Sequence, residues 1–233
     1  MILLPAVMGP ARAGRRETFP DTSRSFRPAF ADLASGPQTN LLSPDQYSIT
    51  ATPIGAPDIA GVFGTAYSNM AAAAGYQAFP AATGAIGFDD YDSIGAPATS
   101  IDISTFRFVG GVQQAAGTMF FDFFDTSSNF VDSFGVTLTN PGNFIYTITI
   151  NTYPGGVVVP EAGLLQVTVG AGFTGQWFLN ADAPTIGTSN SGIGGAAGGL
   201  QHKFELNGDY VVPAPASVAL LGLGGLAAIR RRR

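Results

Sequence analysis

Hydrophobic and polar residues alternate with a period of two through most of the chain from residue 84 onward. The pattern is most regular in residues 144–150, where Phe144, Tyr146, Ile148 and Ile150 occupy every second position and threonines separate the last three. Alternation of this kind places one set of side chains on a single face of a β-strand, and that face packs against a core. The chain is therefore predicted to consist mainly of half-buried strands.

The individual strands follow from where the alternation begins and ends. They cover residues 101–108, 119–124, 130–138, 144–150, 165–169 and 177–179, with 47–50 as a first strand and 202–206 as a closing one. The alternation changes phase at Ser104 and Thr105, which predicts a β-bulge, because an extra residue moves every later side chain to the other face. Residues 123–134, with a polar turn in their middle, are expected to form a hairpin.

Turn-forming residues separate these stretches at intervals of about eight to fifteen residues. Such spacing is typical of antiparallel meanders and Greek keys and not of crossover helices. The predicted fold is all-β, a two-sheet antiparallel β-sandwich of jelly-roll type, with 18 phenylalanines to fill its core. One short helix is expected at 65–74, ended by Gly75. The Gly- and Ser-rich residues 183–199 are expected to be a surface loop or a linker.

The last 22 residues show a different pattern, with three parts in a fixed order. A Pro-rich segment contains Pro213 and Pro215, residues 216–229 carry no charge, and the chain ends with Arg230, Arg231, Arg232 and Arg233. As a helix, the uncharged run would span about 21 Å, short of the ~30 Å hydrocarbon core of a bilayer. A buried core helix is the alternative, but the run has no polar stripe to face water. We therefore expect a single C-terminal transmembrane helix with its arginines on the cytoplasmic side.

This tail resembles the PEP-CTERM sorting signal of Gram-negative and related bacteria. The motif is Val212, Pro213, Ala214 and Pro215, followed by the apolar run and the arginines as a membrane stop. The resemblance implies a membrane as partner and a sorting protease-transferase, exosortase, that recognises the motif and removes the tail. Ala214 stands where the family usually has Glu. Such tails are also labelled ice-binding protein C-terminal domain, a label for the sorting signal and not a sign of ice binding.

The rest of the chain agrees with export. The apolar opening is followed by Ala11, Arg12 and Ala13, a small-x-small pattern typical of a signal-peptidase site, although a frayed terminus is the alternative. The body, through segments 107–111 and 176–179 among others, is similar to the jelly-roll ectodomains often joined to such tails. The expected organisation is a signal-peptide remnant at 1–13, a disordered leader at 14–32, an ectodomain at 33–210, a sorting motif at 211–217, a transmembrane helix at 218–229 and a basic stop cluster at 230–233.

Charge is distributed unevenly along the chain. Between residues 31 and 212 two basic residues, Arg107 and Lys203, stand against fourteen acidic ones, a formal charge of −12. A body this acidic repels phosphate backbones, so no nucleic-acid partner is expected. Solubility outside the cell explains such a charge, and divalent cations or neutral sugars are compatible with it.

The sequence gives little support for catalysis. The chain has no cysteine and one histidine, His202, so a Cys–His pair is impossible and a triad has a single choice of base. No Gly-x-Ser-x-Gly elbow is present. Two carboxylates would suffice for a glycosidase, but the distance between two carboxyl groups in the folded protein cannot be read from a sequence. The protein is therefore predicted not to be an enzyme, and a secreted hydrolase is the last of three alternatives.

Two groups of residues are candidates for binding. Asp89, Asp90 and Asp92 place three carboxylates within four residues, and a loop before a strand would suit Ca²⁺, although an acidic solvated turn is the plainer interpretation. Trp177 and Tyr91, helped by other tyrosines, are candidates for stacking on sugar rings, with Trp177 as a core residue as the alternative. No other cofactor is expected.

These patterns together predict an exported, membrane-sorted protein of the cell surface or extracellular matrix, with a noncatalytic β-sandwich domain. The alternative is a carbohydrate-binding module, with or without calcium, for which a polysaccharide is the partner.

Overall fold

The chain is all-β, as predicted, throughout the part that the computed structural model describes, namely residues 41–55, 64–73, 75–77, 84–93, 99–113, 116–151, 156–189 and 200–211. Its strands are β1 (Tyr47–Pro53), β2 (Thr65–Ser68), β3 (Gly84–Asp92), β4 (Ser100–Val112), β5 (Gly117–Asp125), β6 (Phe130–Leu138), β7 (Gly142–Ile150), β8 (Val158–Pro160), β9 (Ala162–Val169), β10 (Gly175–Trp177), β11 (Leu179–Asn180), β12 (Gln201–His202) and β13 (Phe204–Val211).

The strands form two main antiparallel sheets. One has the order β1-β7-β4-β13-β2, with β8 and β10 pairing at the two ends of the long strand β4. The other has the order β3-β9-β5-β6. Strands β11 and β12 form a separate two-stranded sheet. Apart from β5 and β6, which follow one another in the chain, paired strands of these two sheets are separated in the sequence by at least one other strand, as is usual for β-sandwiches with long connections.

An aromatic core fills the space between the two sheets. Phe106 of the larger sheet lies 4.7 Å from Phe121 and 5.5 Å from Phe134 of the smaller one, measured between ring centroids. Side chains of both sheets belong to one continuous apolar cluster. Each fully buried aromatic side chain contributes about 2–3 kcal/mol of hydrophobic free energy. The packing of two sheets face to face fits the predicted sandwich.

The predicted bulge in β4 is confirmed. Thr105 pairs with Asn207 of β13, but the next pair is Ile103 with Gly208, so Ser104 has no partner residue. Because of this extra residue, Ile103 before the bulge and Phe106 after it both face the core. The change of phase in the sequence therefore marks the position at which the strand register shifts.

The predicted hairpin is confirmed as β5 and β6. Their turn is organised by Asp125, whose Oδ1 accepts backbone N–H groups of Ser127 at 2.8 Å and Asn129 at 2.9 Å. Ser128 adopts a positive φ of 66° in this turn. Asp is favoured in turns because its side chain replaces a missing backbone partner in this way.

The predicted helix at 65–74 is wrong. Thr65–Ser68 form β2, which pairs with β13 at the edge of the larger sheet. Tyr67 is fully buried, and its ring lies 4.9 Å from that of Phe204. Burial of this tyrosine outweighs the weak helical propensity of a short alanine-containing segment. Gly75 has a positive φ of 77° and donates its N–H to Ala72 in a turn.

One side of the sandwich is joined by residues 186–188. Ser68 of β2 donates its backbone N–H to Ile186, and Asp92 of β3 exchanges two backbone hydrogen bonds with Thr188. These contacts connect the edge strands of the two sheets. The first part of the segment 183–199, expected to be a loop or a linker, thus lies against both sheets.

The predicted terminal elements lie outside the described residues, apart from Val211 at the end of β13. They are the signal-peptide remnant 1–13, the leader 14–32, the rest of the motif 211–217, the transmembrane helix 218–229 and the stop cluster 230–233. Among the residues that the structure does describe, none belongs to a helix of a length and hydrophobicity suited to crossing a bilayer.

Candidate functional site

The three carboxylates proposed for calcium lie within strand β3 and not in a loop before a strand, so that part of the prediction is wrong. Asp89 is buried, Asp90 is partly buried and Asp92 is exposed. Successive side chains of a strand point to opposite faces, which keeps Asp89 and Asp90 apart. Within the described ranges, no three His, Asp or Glu side chains are grouped in a way that would hold a metal ion.

Asp89 is instead used inside the fold. Its Oδ2 accepts the backbone N–H of His202 at 2.6 Å, and its Oδ1 accepts the backbone N–H of Asp90 at 3.0 Å. Burial, with a further contribution from the charge of Asp90, raises the pKa of Asp89 well above its usual value. The carboxyl group therefore ties β3 to β12 from within the protein.

The two aromatic residues proposed for sugar stacking are both in the core. Trp177 is 0% exposed and Tyr91 is 1% exposed, so neither ring offers a face to solvent. The indole Nε1–H of Trp177 donates to the carbonyl of Lys203 at 3.2 Å. The hydroxyl of Tyr91 donates to the carbonyl of Pro160 at 3.1 Å. These side chains do not form the predicted stacking platform. Trp177 is a core residue, as the alternative interpretation had it.

A buried polar cluster meets Trp177 at Lys203 and joins residues from distant parts of the chain. Lys203 donates from Nζ to Oδ1 of Asn69 at 2.7 Å and to the carbonyl of Asp182 at 2.8 Å. Asn69 donates from Nδ2 to Oε1 of Gln201 and to the carbonyl of His202, each at 3.0 Å. Asn69 was missed by the sequence analysis, because no local pattern marks an asparagine whose partner lies 134 residues away.

The two basic residues of the body are both buried. Arg107 forms an ion pair with Glu205, with 3.1 Å between Nη1 and Oε1, and Glu205 also accepts hydrogen bonds from Ser68 and Asn207. Lys203, the second of the two basic residues, is buried in the polar cluster next to Asn69. Every exposed charged side chain in the described ranges is therefore acidic: Asp45, Asp92, Asp102 and Asp209. The surface potential of this part is accordingly negative, which opposes contact with phosphate backbones.

A row of polar side chains crosses the smaller sheet. Asp122 of β5 pairs in register with Ser133 of β6 and with Gln166 of β9. All three residues are buried, and both carboxylate oxygens of Asp122 have no hydrogen-bond partner. Burial raises the pKa of Asp122 to about 7. This carboxyl group therefore titrates near neutral pH.

A surface cleft of about 170 Å³ lies where the edge strand β1 approaches the end of β6. Its lining includes residues with neutral polar side chains, namely Tyr47, Ser48, Thr137, Thr139, Asn140 and Tyr146. The backbone N–H of Thr137 donates to the Tyr47 hydroxyl at 3.0 Å, which links the two sheets at this point. The lining mixes apolar rings with neutral hydrogen-bonding groups, a composition that suits a small uncharged polar ligand.

Comparison with protein-family models, with curated proteins and with solved structures found no match for the chain. The functional argument therefore depends on the sequence of the tail and on the geometry of the described body.

Proposed function

We propose that this is an exported bacterial protein whose jelly-roll-type β-sandwich acts as a noncatalytic ectodomain at the cell surface or in the extracellular matrix. The observation that carries the proposal is the order of Pro-rich motif, uncharged run and arginines at 212–233. A membrane helix followed by a cationic cluster keeps its positive end in the cytoplasm, so the body would cross to the far side. An exosortase-type protease-transferase would then release the body from its tail.

The described body supports this proposal in two ways. Its exposed charges are all acidic, which favours solubility at the high local concentrations of a cell surface. His202, the single histidine, is buried and stacked on Trp177 at 4.1 Å between ring centroids, which is a structural position and not that of a general base facing substrate. A noncatalytic role accounts for both features.

Export and processing are tested in a Gram-negative host that carries an exosortase. The wild-type chain is compared with a Pro213→Ala/Pro215→Ala variant and with a Pro141→Ala control outside the motif. Mass spectrometry of the C-terminus in each cell fraction is the measurement. Wild type and control should be exported and lack the arginine cluster, whereas the motif variant should retain Arg233. An intact Arg233 on exported wild-type protein would reject processing, and wild-type protein confined to the cytosol would reject export.

Carbohydrate binding is the second candidate, now at the cleft of Tyr47, Thr137 and Asn140. The neutral polar lining of this cleft favours it. Wild type, Tyr47→Ala and a Tyr210→Ala control would be applied to a glycan array. Tyr210 is exposed on β13, away from the cleft lining, so this control removes a tyrosine without altering the cleft. Binding by wild type and control but not by Tyr47→Ala supports the candidate, and absence of any bound glycan removes it.

A further inference from the structure

Lys203 and Asn69 are in contact in the interior of the protein, with an amine next to a side-chain amide. Both residues are 0% exposed, and Nζ of Lys203 lies 2.7 Å from Oδ1 of Asn69. The amide carbon Cγ is one C=O bond of about 1.23 Å from Oδ1, so Cγ lies no more than about 4 Å from Nζ. An amine and an amide carbon are thus held within reach of each other in the interior of the protein.

The surroundings hold the amide in place. The amide nitrogen Nδ2 of Asn69 donates to Oε1 of Gln201 and to the carbonyl of His202, which fixes the plane of the amide group. The carbonyl of Asp182 accepts a second hydrogen bond from Nζ of Lys203 at 2.8 Å, which fixes the amine. Holding two reactants together in this way lowers the entropy cost of their reaction, and effective molarities of about 10⁵ M or more are reached where the reacting atoms are also aligned.

The protonation states suit nucleophilic attack by the amine. Burial lowers the pKa of Lys203 to about 8, against the opposing charges of Asp182 and Asp89, so a substantial share of the side chain is neutral amine in mildly alkaline solution. Burial also raises the pKa of Asp89 well above its usual value. A protonated Asp89 removes a negative charge that would otherwise hold Lys203 in its ammonium form.

We propose that Lys203 and Asn69 join in an intramolecular amide bond after the chain has folded. Nζ of the neutral lysine attacks Cγ of Asn69, the bond between Nζ and Cγ forms, and the bond between Cγ and Nδ2 breaks. One proton of Nζ passes to Nδ2, which leaves as ammonia. The products are one secondary amide and one NH₃, and the step needs neither an oxidant nor a cofactor.

Such a bond would give the chain a covalent cross-link between distant residues. The chain has no cysteine, so disulfides are excluded. Asn69 directly follows the edge strand β2, and Lys203 directly precedes β13, the neighbour of β2 in the larger sheet. The amide would close a loop between residues 134 apart in sequence and would prevent β2 from separating from the sheet. The inference needs only the folded body and does not depend on export.

The test is the mass of the purified full chain, measured after denaturation and after incubation of the folded protein at pH 8. The expected mass is about 17 Da below that of the sequence, because one ammonia is lost. A digest should contain a branched peptide in which the segment with Asn69 is linked to the segment with Lys203. Lys203→Arg is the matched control, since arginine keeps the positive charge but has no primary amine, and its mass should equal that of its sequence.

Two results would overturn the proposal. One is a wild-type chain of full sequence mass whose Lys203 amine reacts with an amine reagent after unfolding. The other is a loss of ammonia without the branched peptide, which would place the loss at another asparagine. Both results come from the wild-type chain, so the decision does not depend on whether Lys203→Arg folds.

Discussion

Trp177 and His202 stack face to face in the interior, with 4.1 Å between ring centroids and 17° between ring planes. The imidazole lies between the indole and β3, where a side chain on Gly87 would collide with it. Desolvation by this packing lowers the pKa of His202 to about 3, against a usual value of about 6.5. The histidine is therefore neutral in the folded protein at any physiological pH.

The first prediction concerns acid stability. Because the pKa of His202 is lower in the folded chain than in the unfolded one, its contribution to stability is complete above about pH 6.5 and is lost as the pH falls toward about 3. His202→Phe keeps an aromatic ring but does not titrate. We expect the difference in free energy of unfolding between variant and wild type to change by about 1.4 kcal/mol per pH unit in this window. Urea titrations at several pH values measure it, and a constant difference would contradict it.

The second prediction concerns Asp122, whose effect on stability changes with pH in the opposite direction to that of His202. Burial raises its pKa to about 7 in the folded chain, so the cost of its ionisation grows as the pH rises from about 4 to about 7. Asp122→Asn should be more stable than wild type by about 4 kcal/mol at pH 8 and should gain little at pH 4. Ser133→Ala, at the neighbouring position in the row, is the control, because it should leave the pH dependence unchanged. A gain that is equal at both pH values would show that Asp122 does not titrate as stated.

The third prediction concerns the bulge between β4 and β13. A Cβ on Gly208 would overlap the backbone carbonyl of Asp102, which cannot move without breaking the strand pairing. Gly208→Ala should therefore destabilise the protein by about 1–3 kcal/mol. In Gly170→Ala, the matched control, the nearest atoms of Thr118 lie 3.6 Å from the new Cβ, an ordinary contact. Thermal unfolding of both variants is the measurement, and equal melting temperatures would contradict the prediction.

The fourth prediction uses Trp177 as the single tryptophan of the chain. Because its ring is 0% exposed, its fluorescence should be resistant to quenching by iodide in the folded state and should shift to longer wavelength on unfolding. Sugars should leave the emission unchanged, since the indole has no face in solvent. Strong iodide quenching of the folded protein, or a spectral shift with a sugar, would place Trp177 at the surface.

The strands, the bulge and the hairpin could be predicted because each leaves a local signal. A strand with one face in the core repeats every two residues, and an extra residue such as Ser104 shifts that repeat visibly. The turn at Asp125 carries its own side-chain chemistry. These features are encoded by residues adjacent in the sequence, so one chain is enough to find them.

The candidate site could not be predicted in the same way. Asp89 and Trp177 were noticed for their residue types, yet their roles depend on contacts with the distant residue His202. Asn69 lies in a segment predicted to be helical and meets Lys203 only through the pairing of β2 with β13. The alternation of apolar residues fixes which face of a strand is buried, but it does not determine which strands become neighbours.

Residues 186–188 have a consequence for how copies of this protein behave when crowded together. Strands at sheet margins expose unsatisfied amides that recruit foreign backbones, which is a common origin of fibrous aggregates. Here the backbone carbonyls of Ile186 and Thr188 accept hydrogen bonds from the amides of Ser68 and Asp92, at the margins formed by β2 and β3. Among the described residues, the main chain at 186–188 thus covers part of the free edges of β2 and β3, which disfavours polymerisation through that side.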